Sequence, residues 1–257
     1  MGVIQQGEIS IKASVNLISS LGQRLYPKAD IAIIELICNS YDADATEVKI
    51  TKEEGVINVQ DNGCGMDQEG LANFFFIGKS SHKPSGLGRA PIGQFGIGKF
   101  SMLCLCSQFE VLTRRGDFKA RVIYNEEDVR EQGEELTENT LPLEILDDDI
   151  PVGTKVTLRG MKKPISIPEL KRIITEKIMM QPEVSSFKIT VNDEPVSTRY
   201  IHGQRYPVNF STQYGPVTGE VIWANDKVDM TDVDGVLSVV LGRGVDRSLF
   251  GVNTNIA

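Results

Sequence analysis

Residues 35–45 read ELICNSYDADA and residues 60–67 read QDNGCGMD. From Asp30 to Tyr41 the apolar residues Ile34, Ile37, Cys38 and Tyr41 fall at i, i+3, i+4 and i+7, the spacing of one buried helical face. At 100° per residue, Glu35, Asn39 and Asp42 lie at roughly 0°, 40° and −20° on the same cylinder, a narrow polar stripe beside the apolar one. Such a stripe sits at the edge of a core, where a cleft forms. TEVKI (46–50) and VINVQ (56–60) then alternate as strands. Asp61 follows at once, delivered to a turn whose Gly63 and Gly65 let backbone come close to a ligand.

Working outward, residues 8–14 alternate like a short strand, and Val15 to Leu25 predicts a helix closed by Pro27. Asp67 is a suitable N-cap for a helix that buries Leu71, Phe74 and Phe75. The stretch from Gly78 to Gly98 is rich in glycine and proline and carries Lys79, Ser80, Ser81 and Lys83, a pattern that predicts a mobile, phosphate-friendly loop. An apolar helix is expected over Lys99 to Ser107. FEVLTRR and FKARVIY form a hairpin turning at Gly116 and Asp117. Residues 126–149 are dense in Glu and Asp and read as exposed connection with an edge strand at 141–146. VGTKVTL returns to the sheet, Ile167 to Met180 is an amphipathic helix, and SSFKITVN is another strand. From about residue 201 the chain is aromatic and β-like, which suggests a domain over 1–200 and a β-rich extension over 201–257 that begins a second domain, in the terms of the resemblance given below a transducer or middle domain.

Each candidate has a plainer reading. On the helix alone, Glu35 and Asn39 are equally well solvent-facing residues, and only their pairing with Asp61 and its glycines favours a site. GQFGIGK (93–99) satisfies G-x-x-x-x-G-K, but a P-loop needs Ser or Thr next and a strand before it, whereas Phe100 follows and GLGRAPI precedes. Backbone N–H groups there, with the start of the following helix, are the better phosphate ligands. Lys83 reads as a solvated loop lysine, and Thr154 as either a sheet hydroxyl or a ligand contact.

Taken in order, ELICNSYD, DNGCG (61–65), IGKSS (77–81), GQFGIGKFS (93–101) and Gly153-Thr154 resemble the motifs of the GHKL nucleotide-binding family: gyrase B, ninety-kilodalton heat-shock chaperones, sensor histidine kinases and MutL. The wording most resembles the heat-shock chaperones and MORC-type ATPases. This resemblance implies a two-layer α/β sandwich of the GHKL (Bergerat) type, with a mostly antiparallel mixed sheet and helices on one face. It implies ATP and Mg²⁺ as ligands, with Asn39 on the metal, Glu35 activating water and Asp61 accepting the adenine amino group. Asp42, Gly65, Met66 and Asn73 would surround base, ribose and metal. Lys79, Gly93, Gln94, Phe95, Gly96, Ile97, Gly98 and Lys99 would hold phosphates, and Thr154 would touch the nucleotide; Lys99 departs from the chaperone wording, which has an aromatic residue there. Slow hydrolysis, lid closure and an ATP-dependent homodimer acting on a protein client are the implied function. A non-hydrolysing ATP-sensing scaffold is the alternative, and Glu35 favours the ATPase because a binding-only module has no use for a carboxylate above the γ-phosphate.

Composition sets outer bounds. A 257-residue chain is long enough for a full core. Its net charge of −8 disfavours a broad nonspecific nucleic-acid surface, which needs Lys and Arg to neutralise phosphates, but leaves room for a local basic patch. The four cysteines lack C-x-x-C spacing, so zinc or disulfide frameworks are not expected and a cytoplasmic protein with reduced thiols is. No apolar run approaches the roughly 20 residues of a membrane span. With His82 and His202 as the only histidines and neither in a phosphoacceptor setting, a complete sensor kinase is not expected.

Overall fold

A computed structural model describes residues 2–11, 30–75, 86–87, 101–132, 139–178, 187–197, 203–212, 215–224, 236–240 and 243–248. The motif helix α1 spans Asp30–Asp42, and the two strands after it are β2 (Glu47–Glu53) and β3 (Val56–Asp61). Their alternation is realised as predicted: Val48, Ile50, Ile57 and Val59 are buried and the residues between them are not. Residue Asp67 caps helix α2 (Gln68–Phe74), its carboxylate accepting the Gly70 N–H at 2.7 Å.

Strands β4 (Cys106–Arg115) and β5 (Phe118–Asn125) form the expected hairpin, with Arg115 paired to Phe118 across Gly116 and Asp117. Strand β6 covers Asn139–Leu146, β7 Gly153–Met161, β8 Lys188–Val191 and β9 Glu194–Pro195. Together with β1 (Val3–Ile11) they make one nine-stranded sheet in the order β1-β6-β5-β4-β7-β3-β2-β8-β9. Every pairing is antiparallel except β2 with β8, so the sheet is mixed and mostly antiparallel.

The helices lie on one face, because buried residues of α1, α2 and the later helices join one cluster with the alternate residues of the strands. Phe75 of the α2 C-cap stacks on Phe109 of β4 at 6.3 Å, and Phe109 on Tyr124 of β5 at 4.8 Å. Each buried aromatic contributes about 1.5–3 kcal/mol relative to exposure, so this column anchors the helix layer to the sheet centre. A smaller cluster of Leu112, Leu146 and Ile150 covers part of the other face.

Several expectations need correction. The first strand starts at Val3, not residue 8. It pairs along β6, so β6 is interior and β1 is the edge; β6 tolerates Pro142 there because β5 pairs only with Leu143 to Ile145. The acidic stretch after Asn125 is not bare connection but helix α4 (Glu126–Glu131), capped by Asn125, with Val129 buried. Its first-turn acids face the positive end of the helix dipole, which is why their density misled. The helix expected to run to Ser107 is only α3 (Met102–Leu105). Lys162 ends it, taking Leu105 O with its backbone N–H and Leu103 O with Nζ, both at 2.8 Å. Cys106 then enters β4, since a short apolar run suits either conformation.

Helix α5 (Ile167–Lys177) begins at the Ser166 cap and stops before the predicted end at Met180. Beyond the large sheet, β10 (Gly203–Thr212) pairs with β11 (Gly215–Ala224), and β12 (Val236–Val240) with β13 (Arg243–Ser248), as two separate two-stranded sheets. The expected helix over 15–25 and the loop from 78 to 98, apart from Gly86 and Leu87, lie outside the described residues. Among the described residues, no helix is long and apolar enough to cross a membrane.

Candidate nucleotide site

The polar stripe and the glycine turn meet through a residue that the sequence did not single out. Ser40, buried at the end of α1, donates to Leu36 O at 2.9 Å and lies 3.1 Å from Asp61 Oδ2. The other carboxylate oxygen accepts two backbone N–H groups, Gly63 at 2.9 Å and Thr154 at 3.1 Å. Asp61 is thus held by α1, by its own turn and by β7. Burial pushes its carboxyl above the ordinary 3.8, while the bonds from Gly63, Ser40 and Thr154 pull the other way without cancelling it.

The turn itself is fastened at every step. Asn62 Oδ1 accepts the N–H groups of Thr46 and Glu47 at 2.8 and 2.9 Å, and the Cys64 N–H reaches Ala43 O at 2.8 Å. The Met66 N–H donates to Thr113 Oγ1 at 2.9 Å, and that hydroxyl also contacts Gly153 O and Thr154 Oγ1, both at 3.2 Å. Thr113 is the second contributor that sequence reading missed. Its signal was available: it is a hydroxyl in the buried series Phe109, Val111, Thr113 of an alternating strand.

Two glycines also serve the protein's own packing. Gly65 has φ +65°, and a Cβ there would sit 1.9 Å from Arg114 O; Gly153 has φ +124°, and a Cβ would sit 2.2 Å from Asp61 O. Both are required so that the protein's own backbones approach, which locks the turn between β4 and β7.

Of the residues predicted for the site, Glu35 is buried on α1, while Asn39 and Asp42 are half-buried on the same helix. Asn39 Nδ2 is buried and has no hydrogen-bond partner among the described residues. A buried amide of this kind costs about 1–3 kcal/mol unless something satisfies it, and a half-turn of the carboxamide exchanges its nitrogen and oxygen. A polar group docking against α1 would remove that cost, so the residues present fit a nucleotide with its hydrated Mg²⁺. Asp61, Gly65, Met66 and Thr154 form one connected network, and Asn73 is half-buried on α2. Lys79, Gly93, Gln94, Phe95, Gly96, Ile97, Gly98 and Lys99 lie outside the described residues. Cys38 and Cys106 are buried thiols outside any disulfide, Cys106 pushed up to about 12 by burial, and Cys64 is exposed beside Gly65.

The mixed sheet with helices on one face, and the carboxylate held beside a helix stripe of Glu, Asn and Asp, are consistent with the GHKL fold. Residues 27–150 match the family described as histidine kinase-, DNA gyrase B-, and HSP90-like ATPase. It is 28% identical over 194 residues to a putative type II restriction enzyme, HgiDII, of Herpetosiphon aurantiacus, covering 72% of this chain and 31% of the relative. It is 26% identical over 242 residues to the chaperone protein HtpG of a Wolbachia from Brugia malayi, covering 80% and 33%. Against HtpG of Campylobacter jejuni it is 32% identical over 120 residues, covering 35% and 20%. The chain spans about a third or less of the length of these relatives.

Proposed function

We propose that this chain binds ATP with Mg²⁺ and hydrolyses it slowly, in a chaperone-like or MutL- and MORC-like cycle that closes a glycine-rich lid and brings two copies together. The observation that carries the reading is Asp61. One oxygen is saturated by two backbone N–H groups, and the other faces only the Ser40 hydroxyl among the described residues, leaving acceptor capacity for an amino group. Adenine offers such a group at its Watson–Crick edge; guanine offers a carbonyl oxygen in the same place. One turn of α1 separates Asn39, which would contribute its carboxamide oxygen to the metal shell, from Glu35, which would orient or deprotonate water. Mg²⁺, when bound, neutralises phosphate charge and keeps most of its waters. The similarity to HtpG supports a protein client, and that to a restriction enzyme supports a nucleic-acid setting; neither chooses between them.

Titration with ATP, ADP and GTP tests this reading: the adenine nucleotides bind and GTP does not, and equal binding of GTP would remove the base assignment. In Asn39→Ala the gain in ATP affinity on adding Mg²⁺ over EDTA disappears. A mutant that keeps the full gain takes Asn39 out of the metal shell.

The lid and the dimer rest on family analogy and on the cost of order. Fixing a backbone takes roughly 1–2 kcal/mol per residue, and contacts to phosphate would offset that cost for a long glycine-rich segment. Sedimentation velocity with a nonhydrolysable ATP analogue is expected to show a dimer absent without it. A species that stays monomeric at high concentration with saturating analogue refutes the dimer.

A further inference from the structure

Thr113 and Thr154 stand opposite each other where β4 pairs with β7, and β3, which ends in Asp61, lies on the far side of β7. Both threonines continue the helix-facing series of their strands, Thr113 after Phe109 and Val111, Thr154 before Val156 and Leu158. Asp61, Thr154 and Thr113 thus form a polar row across three strands, at the level where α1 brings in Ser40. Thr113 is 1% exposed, so its hydroxyl has to find its partners within the protein, whereas Thr154 is half-buried.

The hydrogens fix which way this row points. Thr113 Oγ1 carries one hydrogen and two lone pairs. The Met66 N–H, at 2.9 Å, takes one lone pair. Gly153 O, at 3.2 Å, can only accept, and so claims the hydrogen. What is left for Thr154 Oγ1, also at 3.2 Å, is the second lone pair, to which Thr154 must donate. The reverse arrangement, Thr113 donating to Thr154, withdraws the hydroxyl from Gly153 O in a buried setting and makes one bond fewer. With its hydrogen turned toward Thr113, the Thr154 hydroxyl presents only lone pairs to a group arriving beside Asp61.

We propose that Thr113 is a specificity-determining positioning residue: by taking the Thr154 hydrogen it makes that hydroxyl a fixed acceptor, so that the site favours a purine with an amino group at position 6 over one with a carbonyl. The choice of base rests on the nucleotide reading above, with Thr154 facing the same exocyclic group as Asp61; the orientation of the two hydroxyls does not. A carboxylate and a fixed lone pair reject a carbonyl oxygen together. A free hydroxyl would not, because it turns its hydrogen toward whichever group arrives.

Affinities for ATP and for inosine triphosphate, whose base carries a carbonyl where adenine carries the amino group, test the proposal. Wild type is expected to prefer ATP, and in Thr113→Val the ratio of the two affinities is expected to fall about three- to tenfold. Thr113→Ser keeps the hydroxyl and is expected to keep the ratio. A site that is merely loosened loses both affinities in proportion, so the ratio separates positioning from packing. Thr113→Val also takes the acceptor from the Met66 N–H, and without nucleotide that amide is expected to exchange hydrogen about tenfold faster. Should Thr113→Val fail to fold, Thr154→Val decides: it leaves the bonds of Thr113 to Met66 and Gly153 in place, and the ratio is expected to fall likewise. A wild type that prefers ATP and variants that prefer it as strongly overturn the proposal and leave the nucleotide reading standing. Unaltered Met66 exchange in Thr113→Val overturns the hydroxyl orientation on which the proposal is built. A wild type that binds neither nucleotide refutes the nucleotide reading, and the role in choosing the base falls with it.

Discussion

Asp61→Asn is expected to abolish measurable ATP binding while leaving the fold as stable as before or more so. The substitution is isosteric, and its orientation is dictated by the neighbours. Oδ1 accepts two backbone N–H groups, from Gly63 and Thr154, so the amide oxygen of the variant must take that position. The NH₂ is then forced to the Oδ2 side, toward Ser40, whose hydroxyl can accept from it while continuing to donate to Leu36 O. The fold keeps its hydrogen bonds, but a donor now meets the adenine amino group, and an unpaired donor pair in a buried site costs several kcal/mol.

Stability should move the opposite way. Burial raises the Asp61 carboxyl above its ordinary 3.8, so the native state holds this proton more tightly than the unfolded chain. Wild-type stability contributed by this group is therefore present at low pH and is lost as pH rises through the raised value. An amide has no such dependence. At neutral pH the variant melts no lower than wild type, and the decline in stability above the ordinary carboxylate range is reduced. Titration calorimetry and melting curves against pH read both effects. A variant that binds ATP normally, or one that fails to fold, would contradict this account of Asp61.

Glu35→Ala is expected to bind ATP as tightly as wild type and to hydrolyse it about 10²- to 10⁴-fold more slowly, the span a positioned general base supplies. Glu35 and Asp61 occupy different elements, α1 and the end of β3. Removing one therefore leaves the other's geometry in place. Alanine is also the best helix former, so α1 keeps its local propensity. Phosphate release under single-turnover conditions, beside the same binding titration, separates the two roles. Unaltered hydrolysis in this variant moves water activation to another residue and returns the chain to the alternative of a nucleotide sensor.

What the sequence by itself determined was everything written in a short period. The 3.6-residue spacing of Ile34, Ile37, Cys38 and Tyr41 determined α1 and set Glu35, Asn39 and Asp42 along one side of it. The alternation in β2, β3, β4 and β5, the Asp67 cap and the Gly116 turn were equally local. Tertiary structure decided whatever depends on residues far apart in sequence. The strand β6 is interior because β1, more than 130 positions earlier at Glu8 against Pro142, covers it. The helix α3 stops at Leu105 because Lys162 reaches its carbonyls. Gly65 and Gly153 must be glycine because Arg114 O and Asp61 O approach them. Ser40 and Thr113 belong to the site only because folding brings hydroxyls at those positions against Asp61 and the Met66 N–H. A period records which face a residue occupies; it carries no record of what that face will meet, and a buried polar group draws its meaning from that partner.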